Sequence, residues 1–103
     1  MAREAFQTLT EPMYYILLAL TEECCGVDIM NKVETLSKGR IRVGPGTLYA
    51  MLARFEENKI IRLTAEEGRR KSYIITDAGI RMLTKEYARL KTMVNDGASI
   101  LNQ

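Results

Sequence analysis

Apolar positions along this chain fall into blocks whose spacing changes in a definite order. The run Met13–Leu20 (MYYILLAL) is apolar around a whole helical circumference. A helix on a monomer's surface shows one apolar stripe, so this one asks for burial on two sides, against its own core and against a partner. Thr8 with Glu11 fits a capping box, and Thr10 is a second N-cap candidate. Pro12 favours Thr10, because proline then falls in the first turn, where N–H groups have no intrahelical partner. Residues 1–8 show no period and should fray, and the helix should stop near Glu22–Gly26.

A second helix is predicted from Ile29, Val33 and Leu36, which line one face and end at Ser37–Gly39. Arg40–Val43 (RIRV) is long enough for no more than a small strand. Gly44-Pro45-Gly46-Thr47 then reads as a turn feeding a third helix, with Pro45 near a first helical position. Leu48, Met51, Leu52 and Phe55 share its inner face. Gly46, Thr47, Tyr49, Ala50, Ala53 and Arg54 make an outer face with no acid before Glu56. Ile61, Leu63 and Ala65 alternate with Arg62 and Thr64, and Ser72–Thr76 places Tyr73 and Ile75 on one side. Joined by Glu66–Lys71 (EEGRRK), these segments read as a hairpin with a cationic tip. Thr76 caps a last helix in which Ile80, Leu83, Tyr87, Leu90 and Val94 repeat as a coiled-coil seam, and Asn95-Asp96-Gly97 should weaken or end it.

The predicted order is helix, helix, short strand, helix, strand, cationic tip, strand, long helix. This is a mainly α fold with a small β-hairpin, the winged helix-turn-helix arrangement. Residues 1–76 would form the DNA-binding region and residues 77–103 a C-terminal dimerisation helix, all within one compact domain. A length of 103 residues suits a single small domain, and 47% hydrophobic against 27% charged residues suits a globular chain. The longest apolar run is too short to span a membrane, and no export signal opens the chain, so a cytoplasmic protein is expected.

Composition also limits the chemistry. Histidine is absent, which removes the commonest general base and metal ligand. Cys24 and Cys25 are adjacent, so neither a disulfide framework nor a zinc site of ordinary spacing is available. No catalytic set can be assembled, and no cofactor or metal is implied. A redox switch at the vicinal thiols competes with the plainer reading of two buried residues in a turn. Net charge is only +2, but it is uneven. Residues 1–37 hold two basic and six acidic side chains, whereas residues 38–71 hold nine basic and four acidic ones. A basic middle segment suits a polyanion.

A helix enters a major groove through an outer face whose small residues permit approach and whose polar ones meet base edges. Thr47, Tyr49, Ala50 and Arg54 offer such a face. A hairpin tip can reach the backbone or the minor groove, and Arg69, Arg70 and Lys71 supply it. Arg40 and Arg42 are candidate phosphate contacts. Tyr49 has an alternative as a packing residue.

The segments Gly44–Tyr49 (GPGTLY), Leu52–Glu56 (LARFE), Ile60–Ile61, Arg69–Tyr73 (RRKSY) and Thr76–Gly79 (TDAG) together resemble the signature of the PadR family of transcriptional regulators. Tyr15–Leu20 (YILLAL) is similar to that family's first helix. The resemblance implies a winged-helix homodimer that represses transcription, with the last helix packed on the partner's first. It also implies DNA contact through the third helix and the wing, and an effector that loosens it. One departure is Gly26-Val27-Asp28, where members often carry a tyrosine after the glycine. The chain also looks like the short subgroup without a further C-terminal domain.

Burial leads to the dimer independently, since several large side chains would stay exposed in a monomer at about 1.5–3 kcal/mol each. The seam Ile80, Leu83, Tyr87, Leu90 and Val94 is the expected interface. A pocket there, lined by Met13, Tyr14, Leu17 and Tyr87, would take a small aromatic or amphipathic effector; a closed interface is the alternative. Two recognition helices related by a two-fold axis should meet a palindromic operator. The rival function is a winged-helix protein–protein assembly module without sequence-specific DNA binding.

Overall fold

A computed structural model of the chain describes residues 8–102. The fraying expected of residues 1–8 lies, apart from Thr8, outside the described residues. Four helices and a three-stranded antiparallel sheet follow in the order α1 Glu11–Ala19, β1 Cys24–Cys25, α2 Gly26–Leu36, α3 Pro45–Glu57, β2 Ile61–Glu67, β3 Arg70–Ile75 and α4 Asp77–Leu101. The sheet order is β1-β3-β2. This is the expected mainly α winged-helix architecture.

Local chemistry explains several helix ends. Thr10 caps α1, its hydroxyl accepting the Met13 N–H at 3.4 Å, with Pro12 in the first turn where it removes no intrahelical bond. Thr76 caps α4 by accepting from the Gly79 N–H at 3.1 Å. Its hydroxyl also lies 2.7 Å from the Lys59 carbonyl, so one side chain ties the end of α3 to the start of α4. After α2, Lys38 and Gly39 both take positive φ, and the Gly39 N–H closes back on the Glu34 carbonyl at 2.8 Å.

The core is built where helical and strand periods point inward. Ile16, Leu17, Leu20, Ile29, Val33, Leu48, Leu52, Phe55 and Ile61 are its largest fully buried side chains. β3 adds Tyr73 and Ile75, and α4 contributes Leu83. Much of the all-round apolar surface of α1 is thereby covered within one chain, leaving Tyr14, Tyr15 and Leu18 half-buried.

Three expectations are corrected. No strand forms over Arg40–Val43. The Ser37 hydroxyl accepts the Ile41 N–H at 2.9 Å and lies 3.3 Å from the Ile41 carbonyl, so both ladder groups of Ile41 are engaged by a side chain. The third strand is instead Cys24–Cys25, paired with Tyr73 and Ser72 of β3. Correspondingly α1 stops at Ala19, short of Glu22–Gly26. Nor does Asn95-Asp96-Gly97 end the last helix, which runs to Leu101. A single interior glycine costs about 1 kcal/mol, too little to stop a helix that is already propagating.

The hairpin also differs in detail. Arg70 and Lys71 lie within β3 and Glu66 and Glu67 within β2, so the turn is only Gly68-Arg69. Gly68 has φ 60°, as the first residue of a two-residue Gly-X hairpin turn requires. A bulge lies between Leu63 and Ala65, where Leu63 opposes Tyr73 and Ala65 opposes Ser72. The extra residue, Thr64, turns its hydroxyl to Glu23 at 2.6 Å. The bulge breaks the expected alternation: Ile61 is buried, Leu63 half-buried and Ala65 exposed.

Candidate nucleic-acid interface

Leu48, Leu52 and Phe55 bury the inner face of α3, and the outer face is left open as a consequence. Thr47, Tyr49, Ala50 and Arg54 are all exposed. The face is small or hydrogen-bonding through Arg54 and turns acidic at Glu56 and Glu57. Phosphates would be repelled from that end, so the N-terminal half of α3 is the part fit to approach a polyanion.

Tyr49 from α3, Cys25, Gly26, Val27 and Asp28 from the start of α2, and Arg69, Arg70 and Lys71 from the hairpin line one cleft of about 410 Å³. The structure thus brings the α3 tyrosine and the cationic tip together. Among the described residues, the three wing cations make no ion pair within 4.0 Å. Glu67 opposes Arg70 and Glu66 opposes Lys71 across the ladder, which moderates the local field without occupying the cations.

Arg40 and Arg42 are placed differently. Arg40 donates to Glu11 at 2.6 Å and to the Tyr15 hydroxyl at 3.0 Å, and its guanidinium stacks over the Tyr15 ring. The Glu11 carboxylate raises its pKa further. Arg42 pairs with Glu34 at 3.3 Å. Both partners are surface groups, and such pairs are easily exchanged. Neither arginine lines the cleft with Tyr49 and the wing.

The start of α2 was the least legible part of this site. Cys25 is the N-cap residue but caps with no side-chain bond; its thiol instead donates to the Asp28 carboxylate at 3.4 Å. Cys24 belongs to the core, where burial pushes its thiol pKa up, an environment that keeps it protonated. A glycine opening a helix immediately before the turn-helix unit was the available signal. Among the described residues no group of three or more His, Cys, Asp or Glu could hold a metal ion. No helix there is long and apolar enough to cross a membrane.

The residues expected to line an effector pocket are dispersed in burial. Leu17 is wholly buried and Met13 nearly so, whereas Tyr87 is 56% exposed. Tyr14 is half-buried; burial chiefly, and Tyr87 nearby, push its hydroxyl pKa up. In the expected seam, Leu83 packs into the core, Leu90 is half-buried, and Ile80, Tyr87 and Val94 are exposed.

Residues 16–85 match the transcriptional regulator PadR-like family. Among solved structures, a PadR-like transcription factor from Bacteroides fragilis is 26% identical, with 86% of this chain and 87% of that one covered at a TM-score of 0.68. A PadR family transcriptional regulator from Eggerthella lenta is 24% identical over 85% of this chain and 75% of its own, also at 0.68. A transcriptional regulator from Clostridium thermocellum is 22% identical, with 88% of each chain covered at a TM-score of 0.67. An uncharacterised 37.1 kDa protein in a transposon of Streptomyces fradiae is 40% identical over 60 residues, which span 55% of this chain but only 17% of that protein.

Proposed function

The chain belongs to the PadR-like family of transcriptional regulators, and from that premise we propose that it is a homodimeric repressor that reads a palindromic operator. DNA-binding transcription regulation is the family's activity. The symmetric, repressive form is our reading. The observation that carries it is the shared cleft, in which Tyr49 of α3 and Arg69, Arg70 and Lys71 of the hairpin face one space. The exposed N-terminal half of α3 supplies Thr47, Tyr49 and Ala50 to base edges, Arg54 follows on the same helix, and the wing supplies charge to the backbone. Arg40 and Arg42 join as phosphate contacts by exchanging their surface carboxylates.

Two copies joined along α4, through Ile80, Tyr87, Leu90 and Val94, would hold two such units about one duplex turn apart, or a multiple of it. Leu83, committed to each chain's own core, supports the seam from beneath. Release would follow from an aromatic or amphipathic compound seated beside Tyr14 and Tyr87 at that interface. Such a compound should raise the melting temperature and weaken operator binding together.

Selection from random duplexes tests this reading. An enriched palindrome with half-sites at that spacing is expected. Absence of any enriched sequence would favour a protein–protein assembly module instead.

A further inference from the structure

Gly26 is buried and opens α2 with ordinary helical backbone, so no left-handed conformation calls for glycine there. What calls for it is space. A Cβ at this position would collide with the Tyr49 hydroxyl, and would stand 3.0 Å from Cζ and 3.1 Å from Cε1 of the same ring. All three nearest atoms belong to one side chain. The hydroxyl end of the Tyr49 ring therefore abuts the first turn of α2, on a seat that exists because Gly26 has no side chain.

The seat has a consequence for recognition. Tyr49 is 50% exposed, and its hydroxyl makes no hydrogen bond among the described residues. A phenol left to rotate would spread its hydroxyl over several positions; one held against backbone offers a single donor and acceptor in one place. That place opens on the cleft shared with Arg69, Arg70 and Lys71.

We propose that Gly26 is a positioning residue for sequence discrimination: by seating the Tyr49 ring on the start of α2, it fixes where the Tyr49 hydroxyl meets the duplex. Resting on the DNA-reading function above, this adds a residue that touches no base and acts only through another.

The test is a double-mutant cycle on the duplex enriched from random sequence, with a scrambled duplex of equal length as reference. Gly26→Ala should lower the ratio of the two affinities by about tenfold, the scale of one lost base-edge interaction, while scrambled-duplex binding stays within about twofold. Tyr49→Leu alone should lower the ratio similarly, and the double variant should be no worse than either single one. A merely structural role predicts otherwise: both affinities would fall together, and the loss would persist in the Tyr49→Leu background. If Gly26→Ala does not fold, the double variant decides. A chain restored to folding and binding like Tyr49→Leu supports the seat, and one still unfolded overturns it. An unchanged ratio in folded Gly26→Ala, with the parent still discriminating, overturns the seat alone. A parent that discriminates no duplex overturns the DNA-reading function and the seat with it.

Discussion

Glu86 shows how one residue can tie separate parts of this chain. It is 5% exposed, yet it is ionised by design of its surroundings: Arg89 donates two hydrogen bonds at 2.7 and 2.9 Å, and the Leu9 N–H donates a third at 3.2 Å. Arg89 above all, with Leu9 assisting and burial opposing, holds its carboxyl below the ordinary carboxylate range. A pKa lowered by folding stabilises the protein above the unfolded value, and that contribution is lost as pH falls through the folded one. Thermal melts across the acid range should therefore show a steeper loss for the parent than for Glu86→Gln. Glu86→Ala should cost about 1–3 kcal/mol at neutral pH, because it leaves the part-buried Leu9 N–H without its acceptor and Arg89 without its ion-pair partner. The two threonine caps can be ranked in the same way. Thr76→Ala removes a 3.1 Å cap and a 2.7 Å contact with the Lys59 carbonyl, whereas Thr10→Ala removes only a 3.4 Å cap. Denaturant midpoints should place the former at about 1–2 kcal/mol and the latter near 0.5 kcal/mol.

Between elements, α4 packs closely on the backbone that leaves α3. A Cβ on Gly79 would run into the Ile60 carbonyl and the Ile75 side chain at 2.5 Å. Backbone cannot step aside as a flexible side chain can, so Gly79→Ala should destabilise by about 1–3 kcal/mol, read as a lower denaturant midpoint at unchanged slope. That contact was not legible in the sequence, although the Thr76 cap and the periodicity of α4 were. Helices α2 and α3 were legible because their apolar spacing and turn residues agree. The hairpin was legible because a glycine separates two β-rich runs. What escaped was set by distant partners. Cys24–Cys25 becomes a strand only because β3 has an open edge, and Arg40–Val43 fails to become one because Ser37 captures Ile41. The bulge at Thr64 likewise depends on Glu23. Of the candidate site, the outer face of α3 and the cationic tip could be read from residue types, but the contribution of α2 could not.

Across the whole molecule, exposed apolar residues collect on one helix. Val94, Ile100 and Leu101 are 68%, 68% and 82% exposed, and Met93 and Tyr87 are more than half exposed. Leaving this surface in water is costly for a small domain, and that cost is what supports the proposed pairing along α4. Val94→Glu should shift the sedimentation of the protein toward monomer and weaken operator binding, with the wing and α3 intact. In the proposed dimer the wing cations would act twice per operator. Each phosphate neutralised by a cation releases counterions and steepens the fall of log affinity with log salt by about 0.9. Salt titration of operator binding, for the parent and for Arg69→Ala/Arg70→Ala, reads the number of such contacts. Four fewer per dimer should make the slope shallower by about 3–4. An identical slope in the two proteins would mean that the hairpin does not face the duplex.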